Sequence, residues 1–547
     1  MLAASLAMDP IDLTIIVVYL VGIVTIGCLV GFRQRRAVEG QGYFLAGRTL
    51  TWPVIGLALF STNISTVHLV SLAEEGYRNG LAYGNFEWMA AFTLIILALF
   101  FAPFYLRAKV ATLPDFLEKR YSRPCRDWLA LLSIISAVFI HIGFSLYAGA
   151  VVLEGMFGIN IMTSIISVAV LTGLYTIIGG LLAVVLTESI QTIVLVLGAV
   201  CVTVLGLWHA GGWSEFVASV EPVKMTILRS SSDASGLPWY SVFLGYPIIG
   251  IWYWCADQTI VQRVLGAKDA NHARVGPLFA GFIKILPVFI FVLPGLICLG
   301  LINQGKLPDT MEHPRHTYSF MINHLLPVGL KGVVAAALLA ALMSTVSGAL
   351  NSIATLFSYD IYKRWRPQTS DRTLVVIGRI VTFVAMIAAI VWSPFVSHYP
   401  TIFQGITAII CYISPPITVV FVFGVFWRRA GSKAALYTLW LGSAMGLVVF
   451  LLDWFKDKDW LKKYIEWKAP PMMATFYLAV LCSAVLIIVS LLKPHKHTAE
   501  SEKLVWANPM QALQEKGWRG FGNYKFLTVL LFVTMIVLYV IFSIRPS

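Results

Sequence analysis

The chain has 547 residues, 58% of them hydrophobic and 12% charged, with a mean hydropathy of +0.81. A soluble domain carries about 25% charged residues, so these totals exclude one, and the many long apolar runs favour membrane-spanning helices over a barrel. The net charge of +13 is the Lys and Arg excess expected in the cytoplasmic loops of a membrane protein and is no argument for a nucleic-acid partner. The seven cysteines form no CxxC pair and lie mostly in apolar runs, which predicts neither a disulfide framework nor a cysteine metal centre. Phosphate-binding loops, HExxH and GxSxG are absent, so the sequence predicts no enzyme, no organic cofactor and no obligate protein partner.

In chain order, the first apolar run covers about Ile11 to Phe32, with Asp9 before it and Arg33, Arg35 and Arg36 after it. A signal peptide carries its positive charge ahead of the apolar region, so this run is expected to be a retained helix entering from outside. A broken span follows from Leu50. Further spans are expected at 84–106, 127–156, 160–178, 181–207, 240–264, 274–302, 328–362, 374–394, 399–427, 434–454, 471–492 and 524–543. That makes about 14 transmembrane helices with both termini outside a plasma (inner) membrane. Lys and Arg are then about twice as frequent in inside as in outside loops. The loop carrying Lys456, Lys458, Lys462, Lys463 and Lys468 runs against that trend. A polar stretch, 494–523, precedes the last span without an assigned role.

Polar residues interrupt several spans. Ser61-Thr62-Asn63-Ile64-Ser65-Thr66 breaks the second, with His68 one turn later and Glu87 near the start of the third. Polar groups at membrane depth are costly and usually face a cavity or a partner, and a break frees backbone groups to bind something. Gly245-Tyr246-Pro247 and Gly250 suggest a second break in 240–264. Lys284 lies far from either end of its span and is expected to be functional or ion-paired. Ser344, Thr345, Ser347 and Ser352 are either small packing residues or hard oxygen ligands for a small cation. Pro415-Pro416 are expected to break 399–427, which also carries Gln404 and Thr407. Two five-helix units emerge, 50–207 and 240–427, joined by an outside loop, 208–239, preceded by 1–49 and followed by peripheral helices in 428–547. Five is odd, so the units insert in opposite senses, the inverted-repeat plan of secondary transporters.

Specific motifs then identify a family. Tyr-Phe-Leu-Ala-Gly-Arg at 43–48, Asn-Ile-Ser at 63–65, Phe-Glu-Trp at 86–88 and Leu-Pro-Asp-Phe-Leu-Glu-Lys-Arg at 113–120 are joined by Tyr-Trp-Cys-Ala-Asp-Gln at 253–258, Val-Gln-Arg at 261–263, Asn-Ser-Ile-Ala-Thr-Leu-Phe at 351–357, Asp-Ile-Tyr at 360–362 and Phe-Trp-Arg-Arg at 426–429. Over about residues 10–430 the chain resembles the sodium/solute symporters, nearest the sodium/glucose cotransporter branch. The resemblance implies an all-α polytopic membrane protein with a LeuT-type five-plus-five inverted-repeat core. It implies a sodium ion held by the carbonyls of Ser61, Ile64 and Ala341 and the hydroxyls of Ser344 and Thr345, with sodium the only metal. It implies a sugar such as glucose or galactose bound by Asn63, His68, Glu87, Tyr253, Trp254, Lys284, Gln404 and Thr407, with Phe86 and Phe403 as outer and Tyr253 as inner gates. Thr407 stands where the family has a sugar-contacting glutamine, and Gly250 where a bacterial member has an asparagine. A possible second sodium site falls on Glu188, in place of an aspartate, and Ser347, with Gly348 replacing a hydroxyl. Glu188 also has a plainer explanation, contact with water near an inner helix end. The expected function is sodium-driven import of a sugar or sugar-like solute across the lipid bilayer. The alternatives are a carboxylate, vitamin or amino-acid symporter on the same fold, or a non-transporting sensor.

Overall fold

The computed structural model describes residues 9–34, 46–233, 236–311, 313–398, 402–456, 458, 462, 469–494, 498–506 and 508–543. Twelve helices among them are long and apolar enough to cross a membrane. Two segments, 52–79 and 239–265, are interrupted, the second half of the first running on into the Val67–Arg107 span, and with them each expected span has a counterpart. The leading helix α1 (Pro10–Gln34) is followed by α2 (Trp52–Asn63) and α3 (Thr66–Asn79), the two halves of the first interrupted segment. Next come α4 (Asn85–Ile96), which runs on to Arg107, the short α5 (Leu113–Arg120), α6 (Arg123–Ser136) and α7 (Gly143–Phe157). The long run α8 (Ile161–Ala210) is two spans joined at Gly180, whose φ of 62° only glycine adopts freely.

The second unit opens with α9 (Trp239–Ile251), which continues through a π-helical turn, Trp252–Ala256, before the chain breaks at Asp257 and restarts as α10 (Gln258–Leu265). It proceeds through α11 (Ala270–Ile283), α12 (Leu293–Asn303), α13 (Thr317–Leu325), α14 (Leu330–Leu356), α15 (Asp371–Trp392) and α16 (Ile402–Phe426). Three trailing helices, α17 (Ser432–Trp454), α18 (Pro471–Leu492) and α19 (Tyr524–Ser543), pack around this core.

Two expected breaks are corrected. Pro415 and Pro416 lie inside an intact α16. The carbonyl that Pro415 leaves without its N–H partner is that of Cys411, and Thr475 Oγ1 on α18 donates to it at 3.0 Å. The next carbonyl, of Tyr412, meets Gly446 of α17 so closely that a Cβ there would overlap it. A neighbouring helix thus replaces one of the two lost ladder bonds, and another packs closely against the second carbonyl. Likewise Pro247 sits within α9, and the break comes ten residues later, at Asp257. Gly245 and Gly250 serve close approach: a Cβ would strike the Met472 carbonyl at the first and the Thr93 side chain at the second.

Charged groups tie the elements together at one end of the bundle. Arg120 on α5 is fully buried and donates to the carbonyls of Gly424, Trp427 and Ala430 at 2.8, 3.0 and 3.2 Å, satisfying the end of α16. Arg126 on α6 meets Asp360 at 2.7 Å, just past α14. The 498–523 stretch crosses the same end. Its Trp506 indole donates to the Phe100 carbonyl at 3.2 Å while its backbone N–H donates to Val425 at 2.9 Å, and buried Arg274 holds Glu515 at 2.5 Å.

Backbones approach closely where α3 crosses α12. A Cβ on Gly295 would overlap the Ala73 carbonyl, whereas one on Gly22 of α1 meets nothing within 4 Å. Gly295→Ala is expected to cost about 1–3 kcal/mol by overpacking and to lower the melting temperature of the detergent-purified protein, with Gly22→Ala indistinguishable from the parent.

Candidate functional site

The site grows from the first break. Helix α2 stops at Asn63, Ile64 and Ser65 are extended (ψ 104° and 169°), and α3 begins at Thr66. β-Branched and hydroxyl residues make this the weakest helical stretch of an otherwise apolar span. His68 then caps the restart: its Nδ1 accepts from the Ser65 N–H at 3.2 Å and stands 3.0 Å from Ser65 Oγ. Helix α14 passes beside the break. Ser344 Oγ donates to the Ser61 carbonyl at 2.7 Å and lies 2.9 Å from the Ala341 carbonyl. Thr345 Oγ1 lies 3.2 Å from the Ala341 carbonyl, 3.3 Å from that of Thr62 and 3.5 Å from that of Ile64. The five oxygens named from the sequence, of Ser61, Ile64, Ala341, Ser344 and Thr345, therefore converge on one buried spot. All are neutral, a set suited to a loosely held monovalent cation, whereas calcium is held chiefly by carboxylates.

One residue along, the Asn63 side chain turns into a cavity of about 140 Å³ between the two interrupted segments. Lys284, 1% exposed, donates to Asn63 Oδ1 at 2.5 Å and to Glu87 Oε2, and its ammonium stands 5.6 Å from the Trp254 ring centre. Asn63 Nδ2 in turn donates to the Tyr253 hydroxyl at 3.1 Å. His68 Nε2 is 4.0 Å from Glu87 Oε1. The π-helical turn Trp252–Ala256 aims Tyr253 and Trp254 at this cluster. Thr407 and Thr345 also line the cavity. Gln404 stands on α16, but its side chain lies outside the described residues.

Above the cavity, Phe86 and Phe403 meet edge to face at 5.1 Å, with Tyr83 against both at 5.9 and 5.3 Å. Phe86, Phe403 and Thr407 also line a second pocket, which holds Asp453 and Lys456, so the aromatic pair stands between the two spaces.

Glu188 does not meet water. It is fully buried, takes Arg263 Nη2 at 2.5 Å and Nε at 3.3 Å, and accepts from Thr62 Oγ1 at 2.9 Å. Ser347 Oγ donates to the Ser344 carbonyl at 3.0 Å. A Cβ on Gly348 would overlap the Arg263 guanidinium, so the glycine makes room for that ion pair. The sequence reading took Arg263 only as part of a motif and missed its partner, because 75 residues separate the two.

Sequence reasoning also passed over His141 and Ser145 and read Tyr246 only as part of an expected helix break; all three lie in the cavity wall. Tyr246 donates to the Phe86 carbonyl at 2.7 Å, tying the backbone at Phe86 to α9. The available signal was a lone histidine and serine one turn apart in an apolar run, the same mark that singled out Lys284.

A polytopic helical core with two facing interrupted segments, a buried cluster of five neutral oxygens and an adjoining polar cavity defines a secondary transporter of the LeuT-type five-plus-five fold. The chain belongs to the sodium:solute symporter family, whose model matches residues 43–442. It is 33% identical to sodium/glucose cotransporter 4 of Danio rerio, over 82% of this chain and 73% of that one. A sodium/mannose cotransporter of Bos taurus is 34% identical, over 91% and 89%. The fold matches the substrate-bound, outward-open structure of a sodium-coupled sialic acid symporter with a TM-score of 0.75 at 20% identity, covering 90% of this chain and all of that one.

Removing one member of the buried Lys284–Glu87 pair strands the other charge. Lys284→Ala is expected to destabilise the purified protein by about 3–5 kcal/mol. Combining Lys284→Gln with Glu87→Gln should recover much of that loss, because no charge remains. A double-mutant cycle on thermal unfolding measures the difference.

Proposed function

We propose that this protein is a sodium-driven symporter importing a neutral sugar or sugar-like polyol by alternating access, with the basic end of the bundle on the cytoplasmic side of a plasma (inner) membrane and both termini outside. The observation that carries this reading is the Lys284–Glu87–Asn63 cluster in a cavity that shares the α2–α3 break with the five-oxygen nest. An anionic solute would want an unpaired cation, and Lys284 already holds a carboxylate. A sugar both donates and accepts: Glu87 accepts from its hydroxyls, Asn63 and Lys284 donate, and Trp254 and Tyr253 cover apolar ring faces. Sodium enters through the Ser61, Ile64, Ala341, Ser344 and Thr345 oxygens. Phe86 and Phe403 close the outer side and Tyr253 the inner one. The cycle makes and breaks no covalent bond.

Uptake of radiolabelled sugars into proteoliposomes under an inward sodium gradient tests this. Concentrative uptake of at least one neutral sugar, abolished without sodium, is expected; uptake of none, or uptake indifferent to sodium, rejects it. Ser344→Ala and Thr345→Ala each remove one of five ligands from a helix that tolerates alanine, so half-saturating sodium should rise roughly tenfold or more with the protein still folded. An unchanged sodium dependence in both variants rejects the ion assignment.

One sodium per sugar is expected, because Arg263 and Thr62 occupy both carboxylate oxygens of Glu188. One sodium crossing roughly 100 mV releases about 2.3 kcal/mol, and a tenfold gradient adds about 1.4 kcal/mol. Together these sustain roughly 500-fold accumulation of a neutral solute. Reversal potentials in proteoliposomes give the count, and a shift matching two charges per sugar would return Glu188 and Ser347 to a second site.

A further inference from the structure

The pairings around Lys284 leave one polar part of the cavity without a role. His141 and Ser145 stand one turn apart on the run from α6 through the π-helical turn Ala137–Ile142 into α7, and both line the cavity. These helices carry no residue of the Lys284 cluster, so the pair approaches the cavity from a separate wall. The His141 side chain is 9% exposed, and its ring packs on Tyr253 at 6.2 Å between centres. Its Nε2 is closed off, 3.4 Å from Asp257 Oδ2 but off the line of a hydrogen bond. Asp257 is itself held, because its Oδ1 accepts from the Thr259 N–H at 2.7 Å as the cap of α10. A turn of the ring would aim Nε2–H at that fixed carboxylate.

We propose that His141, backed by Ser145, is a specificity-determining contact for the transported solute, and that Asp257 is the positioning residue that orients its ring. This rests on the reading of the protein as a sugar symporter. A carboxylate accepts and does not donate, so the nitrogen facing Asp257 carries a proton, and the tautomer with its proton there presents Nδ1 as a lone pair. That nitrogen takes a hydrogen bond from one hydroxyl of the solute, and the Ser145 hydroxyl can give or take a second. The need is physical. A polyol fills its cavity with hydroxyls on every side, and one buried without a partner costs affinity. Asn63, Glu87 and Lys284 serve one side. At the two positions where the family resemblance places further sugar-contacting side chains, this chain has Thr407, with a single hydroxyl, and Gly250, with none.

The test is sodium-driven uptake by the full-length chain in proteoliposomes, with competition by each monodeoxy and monofluoro-deoxy analogue of the sugar it carries. The parent protein should reject both analogues at one ring position about tenfold, since neither carries the O–H that donates to Nδ1. In His141→Leu the KM for the sugar should rise about tenfold, and discrimination at that one position should vanish while it persists at the others. His141→Gln, which keeps a polar atom, should show a partial loss at the same position and serves if the leucine variant does not insert. Asp257→Asn, which keeps the helix cap, should weaken discrimination at the same position through KM with little change in kcat. Discrimination unchanged in both His141 variants, or lowered equally at every ring position, overturns the inference while sodium-driven sugar uptake stands. A parent protein that carries no sugar overturns the symporter reading, and this inference with it.

Discussion

A backbone carbonyl that loses its N–H partner inside a bilayer must find another donor or a cation, and most of this structure is a set of answers to that constraint. In α16 the answer is structural: Thr475 reaches across from α18 to the Cys411 carbonyl, and the helix stays whole through two prolines. At Asp257 the freed group is the converse one, an N–H, and the answer is local: the Asp257 carboxylate caps the restarted helix by accepting from Thr259. At the α2–α3 break the carbonyls of Ser61 and Ile64 are met by hydroxyls of α14, which are themselves oxygens. An acceptor satisfied by a hydroxyl can exchange that bond for a cation, because the hydroxyl turns its lone pair inward and becomes a ligand. The same physics therefore yields a packing contact in one place and, on the proposed reading, an ion nest in another, according to what stands opposite.

Charges follow a parallel rule. Lys284 with Glu87, Arg263 with Glu188, Arg274 with Glu515 and Arg126 with Asp360 each neutralise a group that burial would otherwise penalise. What separates them is access. Lys284 and Glu87 line the cavity. Glu188 and Arg263 are both fully buried and close on Thr62, so their pairing fastens the span after Gly180 and α10 to the end of α2. Arg126 and Arg274 lie at the end of the bundle where loops and the 498–523 stretch cross.

Much of this was legible in the sequence. Span count follows from hydropathy, and the first break from its run of hydroxyls. Lys284 stood out as a charge too deep to reach water. Proline and glycine misled for a definable reason: each marks a departure from ideal helix, but whether the helix then breaks depends on donors from other helices, and Thr475 lies 60 residues beyond Pro415. The second break had no strong local sign, because Asp257 acts as a helix cap and reads in sequence as an ordinary polar residue. The π-helical turns that aim His141, Tyr253 and Trp254 leave no sequence pattern distinct from a helix. Long-range pairs such as Arg263 with Glu188 required the fold.

The first break also suggests why ion and solute should be coupled at all. Four consecutive residues divide the work: Ser61 and Ile64 turn carbonyls to the nest, Thr62 anchors to Glu188, and Asn63 turns its amide to Lys284 and Tyr253. Thr345 belongs to both places, since its hydroxyl stands in the nest and its side chain lines the cavity. On the proposed reading, an ion that draws the Ser61 and Ile64 carbonyls together fixes the backbone on either side of Asn63. The solute then binds an amide already ordered, and by linkage the solute fixes the same backbone for the ion. No relay through distant helices is needed, because the two sites share a peptide. Tyr253 extends the arrangement, because its hydroxyl takes the Asn63 amide. With Tyr253 as the proposed inner gate, that bond would tie release of the solute to the state of the break.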